Sequence, residues 1–392
     1  MILRCLSSRK ILIAGGGPGG LAAAVALKQA GFEPEVYERG TSLSGGMAFT
    51  LWPNALLALE SLGMAERLCS ESKTFAGLAM CERSGKVLFR IDGNKILKRF
   101  GYSGLAVERQ HFLEMLMDEL DSGCVHFSQR CEGFRQNGSG CTIVLENGKE
   151  DTGAALIAAD GFQSSIRQEL WATPPPRFAG YSVFRGICQT HLDAELAVTS
   201  MGRGQQFGYF PMRYDKVYWF ASTCFDRIKQ MDSKHLLTTV QRDFIPWHDP
   251  VPRIMHATRA DSVVHNDVYD LDPVERWSSG RVTLLGDAAH PATPDLGQGL
   301  CQAIEDAVIL ASCLRASSDV GNALVQYESH RKPRTRSITL QSRRIGKSGI
   351  WTNPIACFLR NRVIAAIPAG LQIRHLDELF QFANYGQSPT SN

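Results

Sequence analysis

Residues Lys10–Arg39 read KILIAGGGPGGLAAAVALKQAGFEPEVYER, and this stretch decides the fold. Ile11, Leu12, Ile13 and Ala14 form a short unbroken apolar run, as in a parallel strand buried on both faces. Gly15, Gly17 and Gly20 then fit G-x-G-x-x-G. The first glycine permits a tight turn, the second lets a pyrophosphate approach the backbone, and the third lets the next helix lie close to the sheet. Ala22, Ala23, Ala24 and Ala26 keep that helix slim, and Gly31 is placed to end it. Glu38 closes a second strand about 20 residues beyond the glycines, where a carboxylate accepts hydrogen bonds from a ribose. With strand, helix and acid in register, the segment is expected to hold an adenine dinucleotide. Glu38 also disfavours a 2′-phosphate there, because like charges would meet.

The rest of the composition narrows the class. With 392 residues, 44% hydrophobic and 21% charged, the chain has ample core for one large or two ordinary domains. A net charge of +3 is too small to imply a nucleic-acid partner. The arginines and lysines between Arg331 and Lys347 have helical spacing and are expected on a solvated face. The 11 cysteines are scattered with no C-x-x-C, which excludes zinc-type spacing and fits free thiols in a reducing compartment. The opening MILRCLSSRK has too short an apolar stretch for a signal peptide, and no run reaches the length of a spanning helix. The expectation is a cytoplasmic protein without metal and without membrane contact. Its oligomeric state is left open.

Farther along, Gly45-Gly46-Met47-Ala48-Phe49 suggests a second close approach of backbone to a ligand. Residues 75–100 alternate like short antiparallel strands. Glu108–Leu120 returns to helical period. Turns at Asn137-Gly138 and Asn147-Gly148 separate further strands, and AALIAAD, residues 154–160, is another buried one. Pro174-Pro175-Pro176 makes a rigid connector. The aromatics Tyr209, Phe210, Tyr214, Tyr218, Trp219, Phe220 and Phe225 then mark a sheet with one helix near His235–Phe244. RVTLL, residues 281–285, is again a buried strand, and helical period resumes from Gln298 to Leu314. Asn353–Leu371 is amphipathic, with Ile355, Phe358, Leu359, Val363 and Ile364 on one side, expected to pack against the nucleotide domain, with lining of the substrate entrance or contact with a membrane surface as the alternatives. The fold class expected is α/β: a Rossmann-like dinucleotide domain interrupted by a mainly antiparallel β-sheet substrate domain, with C-terminal helices. The nucleotide domain takes residues 9–73, 101–173 and 273–345. Residues 74–100 are a small sheet insertion of the substrate domain, 174–272 its main part, and 346–392 a terminal helical segment.

Three motifs now stand in order: Gly15-x-Gly17-x-x-Gly20 with Glu38, Asp160-Gly161 in AADGFQSSIRQ, and Gly286-Asp287 in LLGDAAHPATPDLGQG. Together with Trp52-Pro53-Asn54, this set resembles the class A flavoprotein monooxygenases of the aromatic-hydroxylase type. Within that family the chain is most similar to the group holding urate hydroxylase, salicylate hydroxylase and zeaxanthin-epoxidase-like proteins. The resemblance implies FAD as cofactor and NADH or NADPH as co-substrate. It implies hydroxylation of a small aromatic or heteroaromatic compound by O2 through a flavin C4a-hydroperoxide. Epoxidation of an electron-rich double bond, or flavin-dependent reduction without oxygen insertion, are the alternatives on the same fold.

The resemblance also assigns residues. Gly15, Gly17, Pro18, Gly20, Glu38 and Arg39 would hold the adenine end of FAD. Asp160 would touch both FAD and the nicotinamide donor, and Arg109 would reach the cofactor from the start of its helix. Asp287 would hold a ribityl hydroxyl. Pro294, Gly297, Gln298 and Gly299 would turn a helix N-terminus toward the N1–C2=O edge of the flavin, where unpaired N–H groups favour negative charge. Arg167 and Ser164 either serve the cofactor or brace their loop. Asp295 matches an aspartate beside flavin and substrate, to orient or deprotonate substrate or to cap the helix. Tyr218 matches a substrate-side tyrosine. Where the urate-hydroxylase group carries a substrate-binding arginine, this chain has Gln206, with Arg203 close by in sequence, and this departure argues against urate and against a small anion held by a bidentate arginine. His290 reads as structural.

Overall fold

The computed structural model describes residues 9–43, 46–193, 195–224 and 233–382. Gly45 and Phe225 lie outside the described residues. The opening strand, Lys10–Ala14, is paired in parallel on both sides, by Glu33–Tyr37 and by Ala155–Ala158. Val282–Leu284 continues the sheet past Ala155–Ala158, and Val125–His126 continues it past Glu33–Tyr37, both in parallel. Ser278–Ser279 closes one edge antiparallel. Ile11, Leu12, Ile13, Leu156 and Ile157 are fully buried, which is why their runs are apolar without alternation.

The alanine-rich helix Pro18–Gln29 covers this sheet, and Gly299–Ala316 packs beside it. The approach is close: a Cβ at Gly19 or Gly286 would come within 3.2 and 3.1 Å of the Ala303 Cβ.

A second, seven-stranded sheet runs in the order Val263–Asp270, Arg177–Gln189, Lys216–Thr223, Gln205–Pro211, Leu196–Met201, Gly77–Glu82, Val87–Asp92. It is mixed: Leu196–Met201 pairs in parallel with Gly77–Glu82, and the other pairings are antiparallel. One face carries Phe184, Phe207 and Trp219 into a core under the helices Ser233–Phe244 and Val251–Ala257. The other face, with Phe210, Tyr218 and Phe220, turns toward the parallel sheet's core. Tyr214 lies in an exposed turn.

Three expectations need correction. Residues 93–100, expected as strand, form the helix Gly93–Phe100: the Asp92 carboxylate caps it by accepting from Asn94 N–H at 2.7 Å, and Gly101 ends it with φ +82°. The basic run is not a solvated face throughout, because Arg331, within the long helix Val320–Gly349, is buried in an ion-pair network described below. The amphipathic terminal stretch is two helices, Pro354–Ala366 and Ala369–Phe380, and the apolar side of the first faces outward.

Candidate active site

The parallel register aligns Ala14 with Tyr37 and Ala158, and Ala158 with Leu284. The segments that follow these strands leave the sheet along its carboxyl edge, the edge where open α/β sheets bind ligands. Backbone bonds tie them there: Gly15 N–H to Tyr37 O (2.8 Å), Ala159 N–H to Ala14 O (2.8 Å) and Leu285 N–H to Ala158 O (2.9 Å). All three sequence motifs therefore converge on one line.

Each glycine of the first motif has its own reason. Gly15 has φ +107°, and a Cβ there would strike Ala159 O at 2.4 Å. A Cβ at Gly20 would lie 2.0 Å from Gly15 O. Gly17 differs: its backbone is extended (φ −69°, ψ 175°), and a Cβ there would meet no protein atom within 4 Å. The protein itself does not need glycine at 17; the open space before it suits a pyrophosphate. Gly17 is also the N-cap of Pro18–Gln29, with Pro18 in the first turn and no side chain capping the free N–H groups, which is an anion site by construction.

Glu38 accepts from Gly16 N–H through Oε2 and from Gly40 N–H through Oε1, both at 2.7 Å. It thereby joins the glycine turn to the next loop and keeps lone pairs for ribose hydroxyls. Arg39 points out and is exposed.

Asp160 makes only long contacts through Oδ2, to Ser165 Oγ (3.5 Å) and Ile166 N–H (3.4 Å), and its buried Oδ1 has no partner. Arg167 and Ser164 brace the loop. The Arg167 guanidinium donates to Phe162 O (2.7 Å) and Ala288 O (3.1 Å), while Ser164 Oγ accepts from Arg167 N–H (2.9 Å).

Asp287 is reached by water although protein surrounds it, as on the floor of a cleft. Desolvation raises its carboxyl above the usual range; His290 and Arg167 act the other way, and water access tempers the effect. Its Oδ1 lies 3.8 Å from the position of a Cβ on Gly299, at the positive end of helix Gly299–Ala316.

Arg109 opens the helix Arg109–Asp118 and stacks over the Phe49 ring at 5.1 Å. Burial lowers its pKa, Glu38 opposes this, and Nε has no partner. A Cβ at Gly46 (φ +79°) would sit 2.5 Å from the Arg109 Cδ, so that glycine makes room for the arginine. The orphaned Asp160 Oδ1 and Arg109 Nε, with the open cradle at Gly17, fit a dinucleotide rich in polar atoms.

Behind motif three lies a buried network that the motifs do not announce. Asp306 accepts from Gly286 N–H (3.0 Å) and from the His290 ring (2.5 Å) through Oδ2, and from Arg331 Nε (2.6 Å) through Oδ1. Burial raises this carboxyl, but the neighbouring charges of His290 and Arg331 win and hold it at about 2. Glu305 receives Arg331, Arg334 and the Asn54 amide. His290 is structural in this setting. The Gln298 side chain also belongs here. Its Oε1 accepts from Asn54 (3.0 Å) and Gln302 (3.0 Å), and its Nε2 donates to Asn54 Oδ1 (3.3 Å), so only its backbone can face a cofactor. Gly297 (φ +61°) packs against Trp52, whose Nε1 would be 3.0 Å from a Cβ there. Pro294 opens the short turn Pro294–Leu296 and is exposed.

Asp295, in that same turn, does not cap a helix. Its Oδ2 accepts from Tyr181 O–H at 2.5 Å and abuts Gly346, where a Cβ would come to 2.5 Å. Burial raises its carboxyl, moderated by hydrogen bonds from Tyr181 and Thr293. Tyr181 shares its sheet face with Arg185 and Ile187, and on the neighbouring strands with Tyr218, Phe220, Gln206 and Phe210. Tyr218 is buried, stacks on Phe210 at 5.7 Å, and has its pKa raised by that burial. Gln206 is buried and its Nε2 finds no acceptor.

A comparison with known families matches residues 8–342 to the FAD binding domain family. Among curated proteins, the chain is 33% identical over 357 residues to aurachin C monooxygenase/isomerase of Stigmatella aurantiaca, covering 90% of this chain and 93% of that one. It is 29% identical over 379 residues to 2-heptyl-3-hydroxy-4(1H)-quinolone synthase of Pseudomonas aeruginosa, covering 94% and 97%. Among solved structures, HpxO of Klebsiella pneumoniae complexed with FAD and uric acid superposes with a TM-score of 0.89 at 28% identity, covering 95% of this chain and 96% of that one.

Proposed function

The chain belongs to the FAD binding domain family, in its class A hydroxylase group, and we propose that this FAD-dependent monooxygenase oxygenates an uncharged heteroaromatic compound using NADH or NADPH. The balance is one substrate C–H, O2, NAD(P)H and a proton giving C–OH, water and NAD(P)+. Bound FAD supplies the electron transfer and the activation of dioxygen.

The chain's own residues bind, orient and shield. The glycine turn at Gly15–Gly20 receives the pyrophosphate and Glu38 the adenosine ribose. Asp160, Arg109 and Asp287 supply the polar contacts along the carboxyl edge. The N-terminus of Gly299–Ala316, with no side chain capping its N–H groups, would offer them to the flavin. The aromatic sheet face of Phe210, Tyr218 and Phe220 excludes water from the reacting atoms. Asp295 takes a proton from the substrate or holds it in place, with Tyr181 fixing its carboxylate.

The observation that carries the substrate class is Gln206. A buried amide N–H without an acceptor, on this face and beside Gly349, can donate to a substrate carbonyl but brings no charge to pair with a carboxylate or urate anion. The quinolone named in one relative has such a carbonyl. The test is substrate-stimulated oxidation of NADH and NADPH with a 2-alkyl-4(1H)-quinolone, urate and salicylate in parallel. The reading expects stimulation by the quinolone; stimulation by urate or salicylate alone would refute the uncharged class.

Asp287→Ala is expected to weaken FAD binding while leaving the fold intact. A lost charge-assisted hydrogen bond is worth roughly 1.5–3 kcal/mol, about a tenfold to hundredfold change in Kd. Flavin-fluorescence titration of the apoprotein measures it, and an unchanged Kd would remove Asp287 from the cofactor contacts.

A further inference from the structure

The helix Pro354–Ala366 shows its apolar stripe to solvent. Ile355, Phe358, Leu359 and Val363, spaced i, i+3, i+4, i+8, are 69, 58, 56 and 66% exposed. The inward side carries the polar anchor instead. Arg360 is buried and donates to Ser348 O at 2.9 Å and Gly202 O at 3.1 Å, while the Cys357 thiol reaches Trp351 O at 3.1 Å. Rolling the apolar stripe inward would strip the buried Arg360 guanidinium of its acceptors, which holds the helix in this rotation. Trp351 and Ile345, both exposed, extend the patch.

The chain on either side of it carries charges of one sign. No aspartate or glutamate occurs between Glu328 and Asp377, an interval with ten lysines and arginines. Arg362 lies on the stripe itself, its guanidinium 5.3 Å from the Phe358 ring centre. Arg344 and Lys347 stand exposed in the last turns of the helix that leads into it. A two-fold contact with a second copy about this stripe would bring Arg362, Lys347 and Arg344 close to their own copies. Anionic headgroups supply the opposite charge, and the acyl boundary accepts the apolar stripe. No single described helix is long and apolar enough to cross a membrane; Pro354–Ala366 passes such a test only together with Gly370–Phe380, across a 94° bend, and its own 13 residues suit a position flat on the surface.

We propose that Pro354–Ala366 docks this protein flat on an anionic membrane surface, with Ile355, Phe358, Leu359 and Val363 in the headgroup–acyl boundary and Arg362, Lys347 and Arg344 on the headgroups. Arg360 bonds the helix to Gly202, and Gly204 N–H donates to Trp351 O at 2.7 Å in the segment just before the helix, so this turn, which leads into the strand carrying Gln206, is tied to both.

The test is flotation of the FAD-loaded protein with vesicles of phosphatidylcholine, alone or mixed with phosphatidylglycerol, and it needs no turnover. Flotation with the mixed vesicles is expected. A triple variant, Phe358→Ser with Leu359→Ser and Val363→Ser, should lose at least about tenfold in binding, as should Arg362→Glu with Lys347→Glu. Retained flavin and an unchanged melting temperature certify that both variants are folded. No flotation of the wild type, or flotation that survives the triple variant, overturns the proposal. So does a dimer that the triple variant dissociates in the absence of any vesicle binding.

Discussion

Gly17→Val is expected to give a folded, colourless protein that cannot be reconstituted with FAD. The backbone at 17 is extended, a region valine adopts without strain, and a Cβ there meets no protein atom within 4 Å. The apoprotein should therefore stay folded, losing only about 1 kcal/mol for a valine at the helix N-cap. The added side chain fills the space that a pyrophosphate needs at the helix N-terminus. Gly20→Val is the contrast: a Cβ 2.0 Å from Gly15 O forces the helix off the sheet and should unfold the domain. Absorbance near the flavin band, read beside thermal melts, separates the two. A Gly17→Val protein that purifies with stoichiometric flavin would contradict the cradle.

The second large effect is expected at Asp295. Asn in its place still accepts the Tyr181 O–H and still fits against Gly346, but it takes up no proton. Asp295→Asn should keep FAD and continue to oxidise nicotinamide, while product formation falls by roughly 10²–10⁴-fold, the usual range for a lost general base. Hydrogen peroxide should account for the difference. The pH dependence carries a sign. Burial raises the Asp295 carboxyl above its ordinary value, so its base form appears only as pH climbs through that raised value. Wild-type hydroxylation should rise along this limb, and the Asn variant should lack it. Normal coupling of nicotinamide oxidation to product in Asp295→Asn would make this aspartate a packing residue.

The two sites were not equally legible in the sequence. The glycine turn can be read because every requirement is met within Lys10–Arg39: the strand, the bare positions and the acid at the next strand's end. The network behind motif three cannot, because its partners are far apart; Arg331 reaches Asp306 across 25 positions, and Asn54 reaches Glu305 across 251. Its one local trace is the pair Glu305-Asp306 inside the otherwise apolar run of a helix, since two acids with no solvent face imply buried cations. Asp295 stood next to the right helix in sequence, yet its partner, Tyr181, comes from a strand 114 positions away. The terminal helix shows the limit of periodicity. The stripe of Ile355, Phe358, Leu359 and Val363 is visible, but which side faces in depends on the acceptors of Arg360, one of them 158 positions away. The helix Gly93–Phe100 was hidden by strand-like alternation before it, although Asp92 and Gly101 mark both its ends.

In a monooxygenase, one atom of O2 enters the product. Turnover under 18O2 in ordinary water, with mass spectrometry of the hydroxylated heteroaromatic product, tests it most directly. The expected product carries one 18O atom for each substrate consumed. A product that carries only 16O from water, or one that gains hydrogen and no oxygen, would contradict it.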